Sequence, residues 1–162
     1  MIDLHVEERF MRQALTEAAE SLHDGEVPVG AVITRGDRII GRGRNRREGL
    51  RDPTAHAEIL AIGAAASSLE AWRLSGCTIY VTLEPCPMCA GAIVLARIDR
   101  LVIGADDPKG GACGSLLNIV EDERLNHRVS VTRGVLADDS SALLRQFFEQ
   151  LRDRGEGAHT VA

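Results

Sequence analysis

Aromatic side chains are nearly missing from this 162-residue chain, which has one Trp, one Tyr and three Phe, 3% in all. So few rings exclude base stacking along an aromatic platform as the main way of capturing a nucleic acid. Positive charge is not in excess either: the formal net charge is -5 and the isoelectric point near 5.5, an average that argues against a polyanionic partner. No apolar run reaches membrane-spanning length. The start, Met1-Ile2-Asp3-Leu4-His5-Val6-Glu7-Glu8, is acidic and has neither a basic n-region nor an apolar h-region, so a cytoplasmic protein without membrane contact is expected. In that compartment four cysteines point to thiols or metal ligands rather than to a disulfide framework. Cys77, which opens a strand-like run, and Cys113, in a Gly-rich loop, read as small buried or loop residues.

What is present is an ordinary globular mixture, 44% hydrophobic and 27% charged, at a length that suits one compact domain and is short for two. A single domain over 1–152 with a flexible tail over 153–162 is expected. The charge is unevenly spread. Between Arg35 and Arg51, seven arginines (35, 38, 42, 44, 46, 47 and 51) stand against Asp37 and Glu48, a local excess of five within an acidic average. This is equally a solvated hairpin or a basic stripe for a polyanion.

Apolar residues at three- and four-residue steps from Val6 to Leu22, with Asp3 to cap and Gly25 to end, predict a first helix. Val27–Thr34 and Arg38–Asn45 read as two strands joined at Arg35-Gly36-Asp37, with Arg42, Arg44 and Arg46 on one face of the second. Asp52 or Thr54 is expected to start a second helix that holds His56 and Glu58 in its first turn and runs to about Ser67. Cys77–Leu83 is a strand, followed by Glu84-Pro85-Cys86-Pro87 and a helix to about Arg97 that is apolar nearly all round. Leu101–Gly104 then completes a βαβ unit with parallel strands. A Gly-rich loop over 105–115, a short helical piece, a strand at Val129–Val135 and a helix from Asp139 to Arg152 complete the chain.

The chemistry is concentrated in His56-Ala57-Glu58 and Pro85-Cys86-Pro87-Met88-Cys89. Cys86 and Cys89, three apart at a helix start, put both sulfurs on one side of its first turn, where the helix N-terminus also favours thiolates. With His56 they supply three ligands. Structural zinc normally closes its tetrahedron with four Cys or His, whereas catalytic zinc keeps three protein ligands and leaves one corner to water. A bound zinc makes that water a nucleophile near neutral pH, and Glu58 can carry its proton to a ring nitrogen and then to a departing amine. Alternatives exist for the parts: a C-x-x-C can be a redox pair or half of a structural zinc site, and a lone H-x-E can be a solvated helix Glu. The redox reading leaves the upstream His-x-Glu unexplained. The structural reading needs a fourth ligand, and the other histidines offer little: His5 and His23 bracket the first helix, His159 lies in the tail, and only His127 falls within a plausible folded segment.

The order H-x-E then P-C-x-x-C is the established signature of zinc nucleobase deaminases, and tRNA adenosine deaminases are among the examples from which that signature is drawn. Beyond the motif, Glu26–Val32, Asn45, Asp52–Ile59, Thr82–Cys86, Met88–Ala92, Lys109 through Gly114-Ser115, Asn126-His127-Arg128 and Phe147-Phe148 resemble the bacterial tRNA-specific adenosine deaminases of the cytidine/deoxycytidylate deaminase superfamily. The resemblance implies an α/β protein with the cytidine-deaminase-like three-layer α/β/α fold, a five-stranded mixed sheet, and a homodimer whose partner chain helps to shape each site. It implies one Zn2+ per chain at His56, Cys86 and Cys89, with Glu58 as catalytic proton shuttle. It further implies that Asn45 touches the flipped base and that Asp107 and Lys109 lie near the flanking nucleotides of a tRNA anticodon stem-loop whose wobble adenosine becomes inosine. A deaminase of a free base or nucleoside such as guanine or cytosine, and a non-catalytic zinc-containing RNA-binding module, are the competing expectations.

Overall fold

The computed structural model describes residues 1–155. Five strands form one mixed sheet in the order β2-β1-β3-β4-β5, with β1 Gly30–Arg35, β2 Arg38–Arg44, β3 Cys77–Leu83, β4 Arg100–Ala105 and β5 Ser130–Thr132. β1 is antiparallel to β2 and β3, whereas β3, β4 and β5 run parallel. The alternation of side chains sorts the two faces. Val32, Tyr80 and Val102 bury against Phe10, Met11 and Ala14 of helix α1 (Leu4–His23), and Ser140 of helix α5 (Ala137–Asp153) meets Gly104 on that side. On the opposite side Ala31, Ile33, Ile79, Val81 and Ile103 pack with Ala57, Ala61 and Ala65 of helix α3 (Ala57–Leu69) and with Ala90 and Ile93 of helix α4 (Pro87–Leu95). The result is the expected three-layer α/β/α arrangement.

Two glycines of β2 permit close approach of α3: a Cβ on Gly43 would lie 2.1 Å from the Ala57 carbonyl oxygen, and one on Gly41 2.6 Å from that of Ala61. The strand therefore seats the N-terminal turn of α3 directly against the sheet.

Several boundaries differ from the sequence reading for local reasons. The first strand starts at Gly30, not Val27, since Val29 donates back to the Val27 carbonyl and Pro28 has no N–H to give a ladder. The second helix starts at Ala57: Asp52 precedes Pro53 and so avoids helical backbone, and its carboxylate accepts from the Thr54 amide and hydroxyl, closing a turn ahead of the helix. A four-residue helix α2, Arg47–Leu50, fills part of the expected loop. β5 is only three residues long, because Gly134 at φ 79 and Leu136 at φ 53 turn the chain into α5. Turns replace the expected short helical piece after the Gly-rich loop. The expected tail over 153–162 begins inside α5 and for 156–162 lies outside the described residues.

Candidate metal centre and active site

The site is built where β3 ends and α3 and α4 begin, at the carboxyl edge of the parallel strands where α/β sheets gather ligands. His56 is the N-cap of α3 and has extended backbone. Cys86 is the N-cap of α4, with Pro87 at its first position, and Cys89 lies one turn on. Two helix N-termini thus converge. His56 Nδ1 lies 3.6 Å from Cys86 Sγ and 3.5 Å from Cys89 Sγ, and the three donor atoms are all within 4.8 Å of one another. Among the described residues no other His, Cys, Asp or Glu joins this group.

The protein groups by themselves divide their protons unevenly. A hydrogen bond from Cys89 holds the Cys86 thiol down at about 4, helped by His56. Cys89 is pushed far up by that same bond and by burial, and the hydrogen bond between His56 and Cys86 raises His56. Two adjacent sulfurs cannot both ionise unless a shared cation compensates them, which is the behaviour of a metal-binding donor set. One imidazole with two thiolates suits zinc.

Glu58, in the first turn of α3, is 3% exposed, and its Oε1 has no hydrogen-bond partner. Burial pushes its carboxyl above the ordinary range, outweighing the opposing pull of its own backbone amide, Cys89 and His56. A buried acceptor without a partner is costly in a fold. The carboxyl lies beside the donor set, close enough to Cys89 and His56 for both to act on it.

A cavity of about 100 Å³ opens onto the centre, lined among others by Val27, Val29, Asn45, Arg47, Leu83 and Asp107. Asn45 is buried and its Oδ1 accepts from the Ala57 amide at 3.0 Å. Its Nδ2 has no protein partner among the described residues, so a donor faces the cavity. Asp107 lines the cavity while its Oδ1 accepts from the amides of Lys109 and Gly110, a turn on which Pro108 sits. Lys109 is exposed beyond the cavity wall. Of the seven residues singled out from the sequence, the fold thus gathers five around the cavity, buries Cys89 beside them and leaves Lys109 exposed in the loop between the lining residues Asp107 and Gly110.

Two acidic residues were not singled out. Glu26, 4% exposed, accepts from the amides of Glu48 and Gly49 and so holds α2, with Arg47, at the cavity mouth. Glu84, 2% exposed, gathers the loop over 106–115. Burial raises its carboxyl, but the Ser115 hydroxyl and the amides of Asp107, Cys113 and Ser115 outweigh this and leave it below the usual range. An acidic side chain between an apolar strand and a proline was the only signal the sequence carried for it. The arginine stripe is split: Arg42 and Arg44 reach Glu17 of α1 and Asp24 at its C-cap at 3.3 to 3.8 Å, and Arg46 lies beyond the strand.

Residues 6–152 match the family of MafB19-like deaminases. The chain is 47% identical over 152 residues to the tRNA-specific adenosine deaminase of Bacillus subtilis (strain 168), covering 94% of each chain. Among solved structures it is similar, with a TM-score of 0.81 and 46% identity over 84% of this chain and 99% of the other, to one from a study of A-to-I editing by tRNA:A34 deaminases at the wobble position. A guanine deaminase from Nitrosomonas europaea is more distant, at 28% identity and a TM-score of 0.76 over 86% of this chain and 83% of that one. Fold and site are those of a nucleobase deaminase. The chain belongs to the family of tRNA-specific adenosine deaminases.

Proposed function

We propose that the protein is a zinc-dependent hydrolase that converts adenosine to inosine at the wobble position of a tRNA anticodon loop. The observation that carries this reading is the buried Glu58 carboxyl, whose Oε1 has no hydrogen-bond partner, beside the His56, Cys86 and Cys89 donors, in a chain nearly half identical to tRNA-specific adenosine deaminases along most of its length. His56, Cys86 and Cys89 would hold one zinc ion, whose chemistry is to lower the pKa of water toward neutrality.

The protein's own groups do the rest. Glu58, with a proton affinity raised by burial, takes a proton from the attacking water and delivers it to a ring nitrogen of the adenine; it then takes the second proton from the hydroxyl added to the ring carbon and passes it to the exocyclic amine, which leaves as ammonia as the carbonyl forms. Asn45, through Nδ2, donates to the base and fixes its orientation. Val27, Val29 and Leu83 exclude water from its faces. A loop adenosine is unpaired, so extruding it into so small a cavity costs little. Asp107 and Lys109 at the rim lie where the flanking nucleotides pass.

A homodimer fits the surface of α4, whose face Met88, Gly91, Ala92 and Leu95 leaves Met88 38% and Leu95 70% exposed, with Leu116 and Leu117 also exposed. A helix apolar on all sides needs cover on that face as well. Among the described residues no helix is long and apolar enough to cross a membrane, and the cytoplasm, where tRNA is used, is the compartment we assign.

Incubation of the protein with an anticodon stem-loop carrying adenosine at the wobble position tests the reading. Inosine and ammonia are expected, and Glu58→Gln should keep its zinc while activity falls by about 10²- to 10⁴-fold. Deamination of free guanine or cytosine with an untouched stem-loop would overturn the substrate. Zinc and RNA binding without ammonia release would favour a non-catalytic module.

A further inference from the structure

Glu84 is the last residue before the Pro85-Cys86 turn, and its side chain touches five donors. The amides of Asp107, Cys113 and Ser115 donate to it at 3.2, 3.1 and 3.1 Å, the Ser115 hydroxyl at 2.5 Å and Arg133 Nη2 at 2.9 Å. Its carboxylate is wholly shielded from solvent, with a side-chain exposure of 0%. These donors span residues 107 to 115, so one carboxylate gathers both ends of the loop that contributes Asp107 and Gly110 to the cavity wall. Arg133 locks it from outside, pairing also with Asp106 at 2.8 Å and donating to the Cys113 carbonyl. At Gly111 there is no room for a side chain, as a Cβ would stand 2.3 Å from Glu84 Cδ. The next residue, Ala112, donates to the Pro85 carbonyl, one residue from Cys86.

A fully buried carboxylate is tolerated only when its donors are all in place, and removing them leaves a costly uncompensated charge. The loop therefore has one seated arrangement with respect to the centre. Asp107 and Lys109 have no other tether of that strength: the Asp107 side chain is spent within its own turn, and Lys109 is exposed. Seating the loop sets where the cavity rim meets the substrate, while Glu58 rests on α3, outside this set of bonds, and the Ala112 amide is, among the described residues, the loop's one backbone link to the Pro85-Cys86 turn.

We propose that Glu84, clamped by Arg133, is a positioning residue for substrate capture: it holds the 106–115 loop as the wall that receives the target nucleotide and its flank, and acts on binding more than on the chemical step. This rests on the tRNA reading above.

The test uses Glu84→Gln, which exchanges one acceptor oxygen for an amide donor, and Ser115→Ala, which removes a single donor at an exposed loop position and so spares folding. For both, KM for the stem-loop should rise by about tenfold with kcat within about twofold of wild type, at one zinc per chain. Glu84→Asp should recover part of the KM loss. Amide hydrogen exchange at Asp107, Cys113 and Ser115 should quicken in Glu84→Gln. A fall in kcat with KM unchanged, or an unchanged KM despite quickened exchange, would overturn the proposal. Should wild-type protein make no inosine, the tRNA reading fails, and amide exchange then decides on the clamp alone: quickened exchange supports it and unchanged exchange overturns it.

Discussion

Asn45 Oδ1 accepts the Ala57 amide at 3.0 Å, so the side chain that offers a donor to the cavity also satisfies the first free N–H of the helix that carries Glu58. The two duties belong to opposite ends of one amide and can be separated. Asn45→Asp keeps the acceptor for Ala57, and a carboxylate suits a helix N-terminus, yet it has no N–H for the base. Thermal stability should stay within a few degrees of wild type while kcat/KM falls by about tenfold or more, as expected for a lost hydrogen bond in a closed site. Wild-type kcat/KM in this variant would remove Asn45 from base recognition.

The divided arginine stripe predicts different salt dependences. Arg42 and Arg44 are engaged by Glu17 and Asp24, whereas Arg47 lines the cavity and pairs with no acidic group among the described residues. Arg47→Ala should lower the slope of log affinity for the stem-loop against log salt by about 1. Arg42→Ala with Arg44→Ala should leave that slope unchanged and cost little stability, since ion pairs as long as 3.3 to 3.8 Å at a partly exposed surface are worth about 0 to 1 kcal/mol. Equal loss of slope in both would restore the whole stripe as an RNA face.

Tyr80 is the single tyrosine, and it donates to the buried Glu7 carboxylate at 3.2 Å, which Arg100 also reaches at 2.8 Å. Burial first, then the Glu7 charge, push its hydroxyl up to about 12. A group raised by folding stabilises fully below its ordinary value of 10 and loses that contribution as pH climbs through the folded value. Tyrosinate absorbance should therefore titrate near 12, coincident with alkaline destabilisation, and Glu7→Gln should bring the midpoint down toward 10. A wild-type midpoint near 10 in folded protein would contradict this burial.

For the dimer, Leu95→Glu puts a charge on the exposed stripe of α4 without touching the core. Sedimentation should show wild-type dimers and monomers of this variant at the same concentration, because an unpaired charge in an apolar interface costs several kcal/mol. Monomeric wild-type protein, or an unaffected variant, would remove this face from assembly.

Much of this architecture could be read from local pattern. Cys77–Leu83 emerges at the expected bounds since a β-branched and aromatic run before a Glu-Pro pair admits little else, and the metal donors are legible because chemistry fixes their types and spacing. What escaped was non-local. Glu84 is explained only by amides 23 to 31 residues away and by Arg133 beyond them, and α2 is held by Glu26, which accepts from the Glu48 and Gly49 amides 22 and 23 residues downstream. His56 outside the helix, not in its first turn, follows from the Asp52–Thr54 turn. A pattern of helix periods cannot register such long-range satisfaction of backbone groups.

Zinc-edge X-ray absorption on protein purified without chelator bears most directly on the centre. One zinc per chain is expected, bound by two sulfurs at about 2.3 Å, one imidazole nitrogen and one light atom from solvent, with His56→Ala losing the nitrogen and most of the metal. A shell filled by a fourth protein side chain, or carefully prepared protein with no stoichiometric metal, would contradict a catalytic centre built from His56, Cys86 and Cys89.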